Sequence, residues 1–142
     1  MLDPKLTGLQ NLERLRDAGG RAPLGSLMDF RLVDAGDGFA VFEGNPGAKH
    51  YNPAGTVHGG WISSILDSAL GCAIHSRLEA GQGYTTVELK INMVRALTDQ
   101  TGPVTARAAI IHLGRRVATS DARLEDANGR LLAHGSCTCM IL

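Results

Sequence analysis

The stretch that decides the fold is NPAGTVHGGWISSILDSALGCAIHSRL, residues 52–78. A loop rich in glycine and proline gives way to a long apolar segment, so we predict a helix from about Gly59 to Leu78. On a helical wheel its apolar side chains cover about half of the circumference. They belong to Trp61, Ile62, Ile65, Leu66, Ala69, Leu70, Cys72 and Ala73. An apolar surface this wide is too broad for a surface helix, which predicts that the helix is largely buried.

Segments with the character of strands lie on both sides of this helix. Before it, residues 26–34 and 38–44 flank a hairpin turn rich in glycine and aspartate. After it, glycine-containing turns separate four predicted strands at residues 84–94, 104–113, 116–126 and 130–141. The order is two strands, one buried helix and a meander of four strands. It predicts an α+β fold in which a single antiparallel sheet wraps around the helix.

A lead segment, residues 1–24, precedes this domain of residues 25–142. Asp3-Pro4 is a favourable helix start, because proline fits the first helical position. Leucines then recur every three residues from Leu6 to Leu15, and Gly19-Gly20 is a stop signal. We therefore predict a helix laid on the surface of the domain.

Composition limits the partners and the location of the protein. Fourteen Lys and Arg residues balance fourteen Asp and Glu residues, so the formal charge is zero. A neutral chain is not built to hold nucleic acid or an anionic membrane. No stretch is long enough to cross a bilayer, and the first ten residues, MLDPKLTGLQ, do not resemble a signal peptide. The three cysteines form an odd set, which favours free thiols in a reducing cytosol and predicts a cytoplasmic protein.

Two features of the central stretch could carry chemistry. His58-Gly59-Gly60 lies where a loop becomes a helix, a place where free backbone N–H groups and the positive end of the helix dipole collect. Such N–H groups can stabilise an oxyanion. Asp67 lies in the middle of a helix that is otherwise predicted to be buried. A buried carboxylate is costly unless it is paired or used, so Asp67 either bonds to structural partners or reacts.

Asn52 supplies a neutral amide near the same junction. Taken alone, Asn52 is typical of a turn residue, and His58 is typical of a helix cap. Taken together, the residues of this stretch form a more specific pattern than any one of them alone. The pattern consists of Asn52, Gly55, His58, Gly59, Gly60, Asp67 and Thr86. This spacing resembles the hot-dog thioesterases, and in particular the phenylacetate-pathway type related to the 4-hydroxybenzoyl-CoA thioesterases. The resemblance covers roughly residues 25–140 and implies the hot-dog fold.

The resemblance also implies roles in the hydrolysis of an aromatic or medium-chain acyl-CoA. The Asn52 amide and the Gly59 N–H would polarise the thioester carbonyl. Asp67 would activate water as a general base, or attack first as a nucleophile, and Thr86 would help to hold that water. His58 would orient the thioester or the leaving thiolate. One base and one oxyanion site suffice for a thioester, so no metal and no organic cofactor is needed.

The choice of Thr86 rests on the family pattern, because strand parity favours its neighbour. Alternation places Thr85 on the apolar face with Val87, and Thr86 on the other face. In several members of the family that the sequence resembles, a serine occupies the position that we assign to Thr86.

Further candidates for contacts with the substrate or with CoA follow from position alone. Gly60 and Ser64 adjoin the predicted oxyanion site and Asp67. Arg115 and Arg116, at a turn, and Lys90 could hold the phosphates of CoA, although solvated surface cations are an equally simple interpretation.

Other cysteines and histidines carry no comparable signal. Cys137 and Cys139 share a strand face with each other but not with His134, so we do not predict a metal site. His50, His75 and His112 have no evident partners and are expected to be structural or exposed.

Two other functions stay open. A hydratase or dehydratase of the same fold would pair a histidine, here His50, with Asp67 for proton transfer. A non-catalytic acyl-CoA sensor is the second alternative, although a pure binder gains nothing from a buried carboxylate.

One straight helix cannot place both halves of the chemistry at one reacting centre. Gly60 and Asp67 are about 10 Å apart along it, at 1.5 Å per residue. We therefore predict that two chains share each active site across a two-fold axis. The resemblance implies the same dimer, often paired further into a homotetramer.

Overall fold

The computed structural model describes residues 2–142. Its helices are α1 (Gly8–Asp17), α2 (Pro23–Met28) and α3 (Gly59–His75), with a short 3-10 turn at Ala48–His50. Its strands are β1 (Phe30–Gly36), β2 (Phe39–Gly44), β3 (Tyr84–Met93), β4 (Val104–Leu113), β5 (Val117–Asp126) and β6 (Leu131–Ile141). All strand pairs are antiparallel, in the order β1-β2-β4-β5-β6-β3. The predicted α+β hot-dog architecture is confirmed.

Helix α3 lies across one face of the sheet and contacts every strand. Its apolar residues form the centre of the core, and Ile65, Leu66 and Leu70 are fully buried. The helix begins at Gly59 as predicted but ends at His75, three residues before the predicted end. The last turn tightens there, because the N–H groups of Arg77 and Leu78 bond carbonyls three residues back instead of four.

The predicted meander of four strands is wrong in one respect. Strands β4, β5 and β6 do form a meander, but β3 pairs with β6 at the far edge, and β4 pairs with β2. Tight turns join β4 to β5 and β5 to β6. Residues 94–103 form a longer connection between β3 and β4, and such a length permits the chain to cross the sheet instead of closing a hairpin.

The lead segment differs from the prediction at its start. Helix α1 does not begin at Asp3-Pro4 but at Gly8, with Thr7 as the cap. The Thr7 hydroxyl accepts a hydrogen bond from the Gln10 N–H, and the Gln10 side chain accepts one from the Thr7 N–H, so this capping box fixes the start. Gly19 and Gly20, both with positive φ, end the helix as predicted.

A second short helix replaces the start of the first predicted strand. Residues 26–28 belong to α2, which spans Pro23–Met28. Asp29 caps its carboxyl end in the left-handed region, with φ of 57°. The part of the lead segment that precedes α2 contacts the outer edge of β1, where the Leu32 N–H donates a hydrogen bond to the Gly20 carbonyl at 2.8 Å. There is no room for a side chain at Gly20, where a Cβ would overlap the Leu32 carbonyl. The lead segment therefore covers one of the two edges of the sheet.

A β-bulge interrupts β3 at Val87. Thr86 pairs with Cys139 and Glu88 pairs with Thr138, so Val87 has no partner in the ladder. A bulge of one residue reverses the alternation of side chains along a strand. Thr86 consequently shares the helix-facing side with Leu89 instead of opposing it. The predicted placement of Thr85 on the apolar face, with Thr86 on the other face, is wrong for this reason.

Candidate active site

The amino end of α3 presents one free N–H group. His58 is the cap, and its Nδ1 accepts a hydrogen bond of 2.8 Å from the Gly60 N–H. The Gly59 N–H, at the first helical position, has no intrahelical acceptor and no other acceptor within residues 2–142. The side chain of Met93, at the end of β3, lies against Gly59, where a Cβ would be 2.6 Å from the Met93 Cε. Gly59 is thus the free donor, whereas the Gly60 N–H is engaged.

The predicted amide donor is bonded within its own loop. The Asn52 Oδ1 accepts from the Ala54 N–H at 2.9 Å and from the Thr56 N–H at 3.3 Å. Its Nδ2 donates to the Thr56 hydroxyl at 3.0 Å. This arrangement is the turn role that asparagine commonly plays. A side-chain amide has two N–H donors, so one remains for a ligand.

The central carboxylate meets the predicted strand hydroxyl. The Thr86 Oγ1 donates to the Asp67 Oδ1 at 3.2 Å, and both residues are half-buried. Thr85 is exposed. Strand alternation predicted that Thr85, and not Thr86, lies on the apolar face. The bulge at Val87 explains why that prediction fails. Because Thr86 bonds one oxygen of Asp67, the other oxygen is left to accept a proton or to attack.

Asp67 and Thr86 line a cavity of about 240 Å³. Around Asp67, α3 contributes Ser68, Gly71 and Cys72. The opposite walls come from segments that precede the helix, and they are Leu15, Gly20, Ala22, Leu24, Gly25, Phe30 and Phe42, with Tyr84 from β3. The lining is mostly apolar, with the Asp67 carboxylate as its only formal charge. Such a cavity suits an apolar group attached to a reacting polar centre.

The thiols near this cavity are held in the protonated form. Burial raises the pKa of Cys72 to about 12, and the Asp67 charge adds to the effect. Burial likewise raises the pKa of Cys137 to about 12. The Sγ atoms of Cys137 and Cys139 are 3.7 Å apart inside the core, whereas His134 is exposed. A thiol with so high a pKa is a poor nucleophile.

The structure separates the other predicted residues from this centre or engages them elsewhere. The Ser64 hydroxyl donates to the Gly60 carbonyl at 2.8 Å. Lys90 lies in β3 and pairs with Ser136 of β6. Because neighbouring side chains of a strand point to opposite faces and Leu89 faces α3, the Lys90 side chain points away from α3. Arg115 and Arg116 are exposed at the turn between β4 and β5 and have no ion pair within residues 2–142.

His50, the proton-transfer residue of the hydratase alternative, lies at the amino end of α3, where its carbonyl accepts a hydrogen bond from the His58 N–H at 2.8 Å. Its Nδ1 accepts from the Gly47 N–H at 3.0 Å, and its ring stacks on Trp61 with centroids 5.4 Å apart. Trp61 is six residues before Asp67, which corresponds to about 9 Å along the helix. Within one chain, His50 and Asp67 therefore do not form a pair.

Comparisons with known proteins agree with this geometry. The sequence model of the thioesterase superfamily matches residues 54–133, which include the amino end of α3, Asp67 and Thr86. The chain belongs to the thioesterase superfamily. It is accordingly a hydrolase, and the matched residues include Gly59, Asp67 and Thr86 but not Asn52.

Three similar proteins illustrate this membership. The 1,4-dihydroxy-2-naphthoyl-CoA hydrolase of Listeria monocytogenes is 25% identical over 118 residues, which are 83% of this chain and 94% of that one. The phenylacetic acid degradation protein PaaI of Thermus thermophilus is 28% identical, with a TM-score of 0.75 over 84% of this chain and 98% of that one. The thioesterase PA1618 of Pseudomonas aeruginosa has a TM-score of 0.80 at 26% identity, over 92% and 93% of the two chains.

Sequence reasoning missed the contribution of the lead segment to the cavity. Leu15, Ala22 and Leu24 lie outside the part of the chain that matches the family. The one available signal for this contribution was Pro23-Leu24, a proline followed by a leucine in a segment that we otherwise assigned to the surface. Tyr84 was also missed, although its spacing of two residues from Thr86 places both side chains on one face of the strand.

Proposed function

We propose that the protein is an acyl-CoA thioesterase in which Asp67 is the catalytic carboxylate. The observation that carries the proposal is the hydrogen bond between Thr86 and Asp67 at the wall of an apolar cavity. The acyl group occupies the cavity, and the thioester carbonyl lies beside Asp67. The names of the Listeria and Thermus relatives support an aromatic acyl group, and a medium-chain group fits the same lining.

The reaction requires only the residues of this chain and water. Asp67 accepts a proton from a water molecule held by Asp67 and Thr86, and the water oxygen bonds to the thioester carbon. The Gly59 N–H and the Asn52 amide stabilise the resulting oxyanion. The intermediate then collapses, the C–S bond breaks, and the proton passes to the leaving thiolate, near His58. In the nucleophilic variant an Asp67 oxygen attacks the thioester carbon and the C–S bond breaks, which releases the CoA thiolate and leaves a mixed anhydride. Water then hydrolyses the anhydride to the free acid and the Asp67 carboxylate.

The carbonyl donor and the carboxylate of one site come from two chains in this proposal. Gly59 and Asp67 are eight residues apart on a straight helix, or about 12 Å. A catalytic group must approach the reacting atoms to within about 3 Å. A second chain, related by a two-fold axis, can bring its own Gly59 and Asn52 to the Asp67 of the first.

The sheet offers one edge for such an assembly. The lead segment covers the edge at β1, whereas β3 lies at the opposite edge with no strand on its outer side. Apolar side chains are exposed along this strand and just beyond it, with 55% exposure at Val87 and 51% at Met93. Met93 also lies against Gly59, so an interface on β3 would adjoin the oxyanion site. We propose a dimer through β3, with pairing of dimers into a tetramer.

Binding of CoA is assigned to exposed cations near the rim of the sheet. Arg115 and Arg116 lie beside the end of β6, where the Ile141 N–H donates to the Arg116 carbonyl. Lys90 would serve only from the outer face of β3. No helix within residues 2–142 is both long and apolar enough to span a membrane. We propose a cytoplasmic location, on the basis of the three free cysteines.

Hydrolysis by Asp67→Asn protein is the first test. The substitution is nearly isosteric, and the amide cannot act as a base, so the rate of CoA release should fall at least about a hundredfold. The melting temperature should change little. Near-normal turnover would remove Asp67 from the mechanism. Hydration of enoyl-CoA by the wild type, without release of thiol, would instead favour the hydratase alternative.

Mixed dimers test whether the site is shared. Chains carrying Asn52→Ala and chains carrying Asp67→Asn should each form inactive homodimers. In a mixed dimer one site carries both lesions and the other carries neither. Random pairing should therefore restore about a quarter of wild-type activity. Verified mixed dimers with no recovery would return both residues to one chain.

A further inference from the structure

We propose that Tyr84 is a specificity-determining residue that binds an oxygen atom at the distal end of the acyl group. The preferred substrates would then be acyl thioesters with an apolar body and a hydrogen-bond acceptor at its far end. This inference rests on the thioesterase function proposed above, because it assumes that the carbonyl lies at Asp67 and that the acyl group fills the cavity.

The geometry sets a direction for the acyl group. Tyr84 and Thr86 lie on the same side of β3, and both line the cavity. The Tyr84 hydroxyl lies next to Gly71, where a Cβ would be 2.8 Å from the hydroxyl oxygen. Gly71 is one helical turn after Asp67, or about 6 Å along α3. An acyl group that begins at Asp67 and Thr86 therefore reaches the hydroxyl about four to five bonds further on.

The walls between these two ends are apolar. Leu15 and Leu24 come from the lead segment, and Phe30 and Phe42 come from the first two strands. Leu24 is 50% exposed, and a bound acyl group would cover part of its side chain. The cavity of about 240 Å³ has room for a short chain or one aromatic ring.

The hydroxyl is free to act as a donor. No protein atom within residues 2–142 accepts a hydrogen bond from it, and its oxygen is not among the fully buried atoms without a partner, which agrees with its place on the cavity. Its ring packs against His75 at 5.6 Å between centroids. Burial raises the pKa of Tyr84, so the hydroxyl stays protonated at neutral pH. A partly buried donor without a protein partner favours a ligand that supplies an acceptor, because a ligand without one leaves the donor unsatisfied.

Two pairs of thioesters with matched length provide the test. Hexanoyl-CoA is compared with 5-oxohexanoyl-CoA, and benzoyl-CoA with 4-hydroxybenzoyl-CoA. We expect the wild type to have the higher kcat/KM for the oxygenated member of at least one pair. Tyr84→Phe should lower that preference about 3- to 10-fold, the worth of one neutral hydrogen bond, and should leave hydrolysis of the plain member intact.

Gly71→Ala is the second variant, because its methyl group would displace the hydroxyl without removing it. It should lower the same preference in the wild-type background and have no further effect on it in Tyr84→Phe protein. An unchanged preference in Tyr84→Phe protein, with CoA release intact, would overturn the role of Tyr84 while leaving the thioesterase function standing. Failure of the wild type to release CoA from any of the four esters would instead count against the proposed function.

Discussion

Substitution of Gly59 by valine would test the proposed oxyanion site most directly. The Gly59 N–H is the free donor at the amino end of α3, and the absence of a side chain keeps it accessible. A Cβ at this position would lie 2.6 Å from the Cε and 2.9 Å from the Sδ of Met93. Because these atoms form the end of a flexible, half-exposed side chain, Met93 can move aside and the fold should survive.

The loss of activity follows from the worth of the donor. One oxyanion donor contributes roughly 3–4 kcal/mol to the transition state, which corresponds to about a hundred- to a thousandfold in kcat. Gly59→Val should therefore lower kcat at least about a hundredfold. Release of CoA would be followed with a thiol reagent, and thermal unfolding would show whether the variant is folded. Full activity in a folded variant would mean that the oxyanion site lies elsewhere.

Met93→Ala provides the matched control. It removes the side chain that the new valine would displace but leaves the Gly59 N–H free. In protein verified to be dimeric, the single variant should retain most of the activity. In the double variant the defect of Gly59→Val should persist, because the valine still crowds the carbonyl oxygen. Recovery of activity in the double variant would show that Gly59→Val acts by moving Met93, and it would refute the oxyanion argument.

Three further predictions address the neighbouring groups. Thr86→Val should lower kcat about 5- to 10-fold through loss of the hydrogen bond to the carboxylate, and Thr86→Ser should restore it, as measured by CoA release. Burial lowers the pKa of His75, and neither ring nitrogen has a hydrogen-bond partner within residues 2–142, so the unfolded chain binds the proton more readily. Stability in urea should then be full above about pH 6.5 and fall below it, and His75→Leu should flatten that dependence. Replacement of both Arg115 and Arg116 by alanine should raise KM several-fold for CoA esters but not for N-acetylcysteamine esters, which lack the phosphates; equal effects on both would exclude a phosphate contact.

The elements of this fold could be predicted because their signals are local. The apolar side chains of α3 recur with helical spacing, and glycine marks the turns near Gly38, Gly114 and Gly129. The order of the strands could not be predicted in the same way. Whether β3 pairs with β4 or with β6 depends on how residues 94–103 cross the sheet, and no short-range pattern encodes that path.

The contact between Asp67 and Thr86 was expected from the sequence, but the walls of the cavity were not. Asp67 stood out as a charge within an apolar helix, and the family pattern identified Thr86 where strand parity favoured Thr85. The parity argument failed because the bulge at Val87 shifts the alternation by one residue, and nothing in the alternating pattern marks a bulge. The contributions of Leu15 and Leu24 were missed because a tertiary contact brings the lead segment to the cavity.

The uncovered edge of β3 affects how the newly synthesised chain assembles. A long edge strand with exposed apolar residues is a template on which any extended segment can add, and so it promotes aggregation. In the proposed dimer the same edge is occupied as soon as two chains meet. Dimer formation would then complete the catalytic centre and cover the aggregation-prone edge in one step. A subunit that remained monomeric would be inactive and prone to aggregate.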